Sequence, residues 1–304
     1  MDGNFTCNFR YAIGLLNVEK VIKACPSLES ISITIPCRNG HWDRFPQFTI
    51  RLKGLLKPLP RLQHLTLCGY AESTRIPGEF LIEVIKELPS LVSLDISRFN
   101  FSETSTVEES FGWNLSRHQN IRKLSLRDLT LKDQTWDLNC WVEQLTTLEL
   151  RCCRPINLRT LHRLLSGSAP SLTKLCIQFE GIDDGYPPAD FTEQFILPAL
   201  KELIMPDHCN ANPLANFEDC KKLEVLECGH ILDDELCKTM KHHLSLATWP
   251  KISTLRLCHS SWYNSVTQAR AKREVEHIQK ISSIDVFISK NPYRCGQNRF
   301  SVVQ

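Results

Sequence analysis

One short pattern constrains this chain more than any other feature: an apolar residue, two variable positions, a second apolar residue, one variable position and a third apolar residue. It occurs ten times. The first five copies are Leu28-x-x-Ile31-x-Ile33, Leu62-x-x-Leu65-x-Leu67, Leu91-x-x-Leu94-x-Ile96, Ile121-x-x-Leu124-x-Leu126 and Leu145-x-x-Leu148-x-Leu150. The second five are Leu172-x-x-Leu175-x-Ile177, Leu200-x-x-Leu203-x-Met205, Leu223-x-x-Leu226-x-Cys228, Ile252-x-x-Leu255-x-Leu257 and Ile281-x-x-Ile284-x-Val286. The mean step is about 28 residues, the period of an architecture that stacks one supersecondary unit on the next. Forty-one leucines against 12 glycines fit a regular packed core better than a loop-rich fold.

The alternating tail of each copy predicts a short strand with one face buried. Six copies are preceded by proline, at Pro26, Pro60, Pro89, Pro170, Pro198 and Pro250, where no ladder hydrogen bond is lost. Between strands the period changes. Phe80-Leu81-x-x-Val84-Ile85-x-x-Leu88, Leu158-x-x-Leu161-x-x-Leu164-Leu165 and Leu232-x-x-x-Leu236-x-x-x-Met240-x-x-x-Leu244 recur at three and four residues, as amphipathic helices do. Strand, turn, helix and return make one coil that cannot bury its faces without its neighbours.

On these residues the chain resembles the leucine-rich-repeat superfamily, over residues 26–288. The resemblance implies an α/β solenoid or horseshoe of about ten repeats, with a parallel concave β-sheet and convex helices. Residues 1–25 are expected to form an N-terminal helix or cap, and 289–304 a C-terminal tail. The family's Asn or Cys in the turn after each strand is matched by Cys153 and hardly elsewhere, with Tyr70, Phe99, Leu129, Ile231 and Ser260 standing there at five other copies. The turns must therefore satisfy their backbone groups by other means. That irregularity, with the Pro-x-Leu-x-x-Leu lead-in, looks most like the divergent repeat body of F-box proteins. Within that resemblance the chain is a non-catalytic protein-protein recognition module of substrate-receptor type, as in a cullin-based ubiquitin ligase. The segment before Pro26 supplies one helix at most and no Leu-Pro start, so a Skp-type adaptor would be a partner only through an F-box outside this chain. The alternative is a stoichiometric inhibitor or regulator like ribonuclease inhibitor.

Side-chain alternation sends the variable residues beside the second and third apolar positions to the concave face. Lys123, Arg127, Arg151 and Lys174 are expected to surround Glu149 as a basic patch suited to an acidic peptide, phosphate or carboxylate. As solvated strand residues they would instead be partly paired with Glu149. Glu227, Arg256 and Asp285 are expected to form an acid-base-acid ladder on adjacent strands.

Other chemistries find little support. Lys plus Arg total 36 and Asp plus Glu 34, so the net charge of +2 lacks the footprint of a non-specific nucleic-acid binder. Cys220, Cys228, His230, Cys237, His242 and His243 include zinc-ligand types but lack a Cys-x-x-Cys clamp, and Cys228 fills an apolar strand position. No Gly-rich phosphate loop, Gly-x-Ser-x-Gly or His-Glu-x-x-His motif occurs, and no cofactor is expected. Fourteen cysteines scattered through apolar runs read as a reduced interior. The first residues lack a basic segment followed by an apolar one, and no apolar stretch approaches ~20 residues, so a cytoplasmic or nuclear, non-membrane protein is expected.

Overall fold

The structure, a computed structural model, describes residues 19–20, 22–35, 45–69, 76–102, 109–132, 141–179, 192–205, 213–228, 234–259, 272–273, 275–280 and 284–290. Strand β1 (Ser30–Ile35) is followed by helix α1 (Phe45–Leu56), β2 (His64–Gly69), the short β3 (Ile76–Pro77) and α2 (Gly78–Ile85). Next come β4 (Ser93–Ser97), β5 (Phe99–Phe101), α3 (Phe111–Ser116), β6 (Lys123–Arg127), β7 (Thr130–Leu131), β8 (Thr147–Arg151) and α4 (Leu158–Leu165). The chain continues through β9 (Lys174–Gln178), β10 (Glu202–Met205), a 3-10 turn (Pro213–Phe217), β11 (Val225–Cys228), α5 (Asp234–Ser245), β12 (Thr254–His259) and β13 (Asp285–Lys290).

Ten of these strands make one sheet in the order β1-β2-β4-β6-β8-β9-β10-β11-β12-β13. Every pairing in it is parallel. Consecutive strands are neighbours in space, so the chain is a leucine-rich-repeat solenoid. Leu65, Leu94, Leu124, Leu148, Leu175, Leu203, Leu226 and Leu255 stand side by side across the sheet. Each is at most 1% exposed, and together they form the spine of the core. The predicted second and third apolar positions hold in the first nine copies. In the last, Val286 pairs with Leu255 and Ile288 with Leu257, two residues later than the Ile284 and Val286 expected.

Helices fall where the period changes. Leu158, Leu161, Leu164 and Leu165 of α4 are buried, and Asn157 starts that helix by accepting from the Thr160 backbone N–H while Thr160 Oγ1 accepts from the Asn157 N–H. The step from Leu200 to Leu223 is the shortest of the ten copies, too short for a full helix and two turns, and there the return is the 3-10 turn Pro213–Phe217.

The turns after the strands solve the missing Asn or Cys in two ways. Arg98, Asp128 and Cys152, each one residue past its strand, have φ of 67°, 52° and 51°. This left-handed conformation aims each N–H at the next coil: Arg98 donates to Arg127 O, Asp128 to Arg151 O and Cys152 to Gln178 O, at 2.9, 2.9 and 2.7 Å. A ladder of backbone bonds thus does the work of the side-chain ladder. Phe99 and Leu129, at the family's polar position, instead point into the core, fully buried. Phe99 lies parallel to Phe80, with ring centroids 6.4 Å apart. Beyond these turns β3, β5 and β7 form a second, three-stranded parallel sheet. Cys153 behaves as the resemblance implies, its Sγ donating to Leu126 O of the preceding coil at 3.3 Å.

Candidate recognition surface

Between the buried spine residues, the intervening side chains of the ten strands face away from the helices and form three columns. The first contains Ser30, His64, Ser93, Lys123, Thr147, Lys174, Glu202, Val225, Thr254 and Asp285. The middle one contains Ser32, Thr66, Asp95, Ser125, Glu149, Cys176, Ile204, Glu227, Arg256 and Phe287. Thr34, Cys68, Ser97, Arg127, Arg151 and Gln178 belong to the third.

The five predicted cations lie on this face, but four of them are engaged by carboxylates. Arg127 Nη2 donates to Asp95 Oδ2 of the preceding strand at 2.6 Å. Arg151 Nε lies 2.8 Å from Glu149 Oε1 on its own strand. Lys174 Nζ lies 2.9 Å from Glu202 Oε2, and Arg256 Nη1 lies 3.6 Å from Glu202 Oε1 and 3.7 Å from Glu227 Oε2. Lys123 is exposed and forms no ion pair among the described residues. The surface is therefore a row of alternating charge, with Lys123 standing apart at its centre. Burial works against the Arg127 charge, but Asp95 and Glu149 more than offset it and hold the guanidinium above its ordinary pKa.

The predicted ladder of Glu227, Arg256 and Asp285 is corrected by the register of the last strand. Phe287 stands opposite Arg256, and Asp285 stands opposite Thr254. Asp285 thus belongs to the first column, and the large apolar Phe287 occupies the middle one, 55% exposed. Cys176, Ile204 and Glu227, three consecutive residues of the middle column, are buried. Burial pushes the Cys176 thiol up to about 12 against the opposing pull of Arg151, and so keeps it protonated near neutral pH.

Cys152 is disulfide-bonded while its neighbour Cys153 is not, so the bond is not vicinal and the cysteines are not all reduced. Of the zinc-ligand types in the segment from Cys220 to His243, Cys220 and Cys228 are buried, and burial pushes the Cys220 thiol up to about 12. His230 and the Cys237 side chain lie outside the described residues. Among the described residues no three His, Cys, Asp or Glu converge on a metal-sized site.

His243 is a buried histidine of that region. Its ring packs 5.1 Å from that of Trp249 and 5.8 Å from that of His242. Its Nε2 lies 3.7 Å from Glu218 Oε1, and Thr248 Oγ1 lies 3.4 Å from Nδ1. Burial lowers its pKa, Glu218 opposes that shift, and His242 and Lys221 reinforce it. The native imidazole thus binds a proton less readily than the unfolded one, so its contribution to stability is complete above about pH 6.5 and is lost as pH falls below it. His118 shifts the same way through burial. Chemical unfolding between pH 7.5 and 5.5 is expected to show stability falling with pH, and His243→Leu to flatten that slope. An unchanged slope in the variant would show that other groups set it.

No family model and no curated protein matches the sequence. Among solved structures, the crystal structure of a TLR13–ssRNA13 complex is similar, at 17% identity and a TM-score of 0.38 over 85% of this chain. The alignment covers 32% of that chain, so this protein spans about a third of its length. No described helix is long and apolar enough to cross a membrane.

Proposed function

We propose that the protein is a non-catalytic recognition module that holds another protein on the open face of its ten-stranded sheet or on one rim of it. The observation that carries this reading is the array itself. Side chains on parallel strands ~4.8 Å apart sit on rigid backbone, and their ion pairs fix rotamers before a partner arrives. Lys123 and Ser125 on β6, next to the engaged pairs of Arg127 and Arg151, form the centre of the contact. The pairs set register and exclude partners of the wrong charge pattern.

The finer reading is a substrate receptor of F-box type, working in the cytoplasm or nucleus, with a Skp-type adaptor reached only through an F-box outside this chain. Expression of the complete gene product with the adaptor tests it. Co-elution through gel filtration supports the ubiquitin-ligase role, and clean separation reduces the resemblance to ancestry. The inhibitor reading fits the surface less well, because Asp95, Glu149, Glu202 and Glu227 already face cations of the same chain and are not held ready for a basic enzyme.

A further inference from the structure

On the helical side, away from the open sheet face, α3 and the turns that lead into β4 and β6 border an open groove of about 660 Å³. That volume is in the range of small-ligand pockets. Lys86 and Pro89 form one wall, and Trp113, Arg117, His118, Gln119 and Asn120 form the other. Asn120 Nδ2 donates to Pro89 O at 3.1 Å and ties the two turns together, so the groove is fixed by the stacking of the coils.

Its charge is one-sided: the lining holds two permanent cations and no acidic residue. On the adjoining helices Lys53 pairs with Glu83 at 2.7 Å and Lys57 with Glu87 at 3.3 Å. Arg117 makes no ion pair among the described residues, and its guanidinium carbon lies 6.0 Å from the centre of the half-buried Trp113 ring. Lys86 shares Glu83 with Lys53, with its own contact at 3.2 Å between two half-exposed side chains, so it can turn to a stronger anion.

We propose that this groove is a small-ligand site, separate from the protein-binding face, that takes a planar ring carrying a phosphate, at the size of a nucleoside monophosphate. The ring lies against Trp113 and Pro89, which offer the apolar surface. The phosphate sits between Lys86 and Arg117, where charge-assisted hydrogen bonds are strong. The Gln119 amide provides donors and an acceptor for the ring edge. Burial keeps His118 below its ordinary pKa, so near neutral pH it offers one donor and one acceptor without adding a third charge.

The test follows the indole N–H signals of the 15N-labelled full chain, with Trp113 identified by Trp113→Phe, during titration with AMP and with UMP. The Trp113 signal is expected to move saturably with a dissociation constant on the order of 0.1–1 mM. Lys86→Ala and Arg117→Ala, both at exposed positions, should each weaken binding about tenfold with an unchanged melting temperature. Adenosine (ring without anion) and ribose 5-phosphate (anion without ring) should each bind at least about tenfold more weakly than AMP. A Trp113 signal unmoved by either nucleotide up to about 10 mM would overturn the proposal. So would ribose 5-phosphate binding as well as AMP, or full affinity in Arg117→Ala.

Discussion

Gly78→Ala is expected to cost about 3 kcal/mol, at the severe end for overpacking, although it adds a single methyl group. Gly78 opens α2 where β3 runs directly into the helix, and a Cβ there would overlap the Phe101 ring of the neighbouring coil. That ring has nowhere to go: Phe101 is 3% exposed, and its centroid lies 4.4 Å from that of Phe111. The clash is between two specific groups, so shrinking one should relieve the other. Phe101→Leu alone is destabilising through lost packing, but with Gly78→Ala the combined cost should fall at least about 1 kcal/mol below the sum of the two. Urea unfolding of the four proteins measures this, and strict additivity would show that the helix start tolerates the methyl group by moving as a whole.

Leu148→Ala should be comparably damaging for the opposite reason. Leu148 is fully buried on β8 between Leu124 and Leu175, so truncation leaves a cavity in the middle of the stack. Cutting a buried leucine back to alanine loses both the transfer free energy of the removed carbons and the contacts around the void, about 2–5 kcal/mol in all. A solenoid adds a further consequence, since each coil buries its neighbours and a weakened central coil uncouples the two halves. The expected result is a lower urea midpoint together with a broader transition or two separate ones. Ser125→Ala, on the opposite face of the adjacent strand, should stay within about 0.5 kcal/mol of the parent.

The spine residues were legible because only a strand with one buried face repeats Leu-x-x-Leu-x-Leu at a coil's spacing. Where three apolar residues alternate, the same logic loses its grip. Ile284, Val286 and Ile288 satisfy two registers equally, and pairing with β12 selects the later one. The turn ladder left little trace, because a left-handed φ at Arg98, Asp128 and Cys152 depends on the next coil's carbonyl and hardly on residue type. Of the three, Asp128 alone belongs to a type that tolerates this conformation. On the open face, Lys123, Arg127, Arg151, Lys174 and Arg256 stand at the strand positions that side-chain alternation assigns them, but their ion-pair partners were legible only in part. Arg127 reaches diagonally to Asp95 in another column, whereas Lys174 stands directly opposite Glu202 on the next strand of the first column. Taking Lys123, Arg127, Arg151 and Lys174 by their own sign predicts a basic patch, whereas three of them are paired with carboxylates. The Trp113 groove was hidden because the short helix α3 and turn residues with no period of their own form it, and the stacking of coils places Lys86 and Arg117 on the same groove.

The paired charges also determine how the recognition surface must be probed. Reversing Arg127, Arg151 and Lys174 would set new carboxylates against Asp95, Glu149 and Glu202 and damage the fold itself. Lys123→Glu with Ser125→Arg changes the same surface while leaving those pairs intact. Quantitative affinity capture from cells should compare this double variant with the parent chain and with Ile50→Lys, a control on the exposed helical side. One set of proteins is expected to be held by the parent and by Ile50→Lys and lost by the double variant at unchanged melting temperature. Identical capture by all three would contradict the claim that the open face of the sheet is where this protein binds its partner.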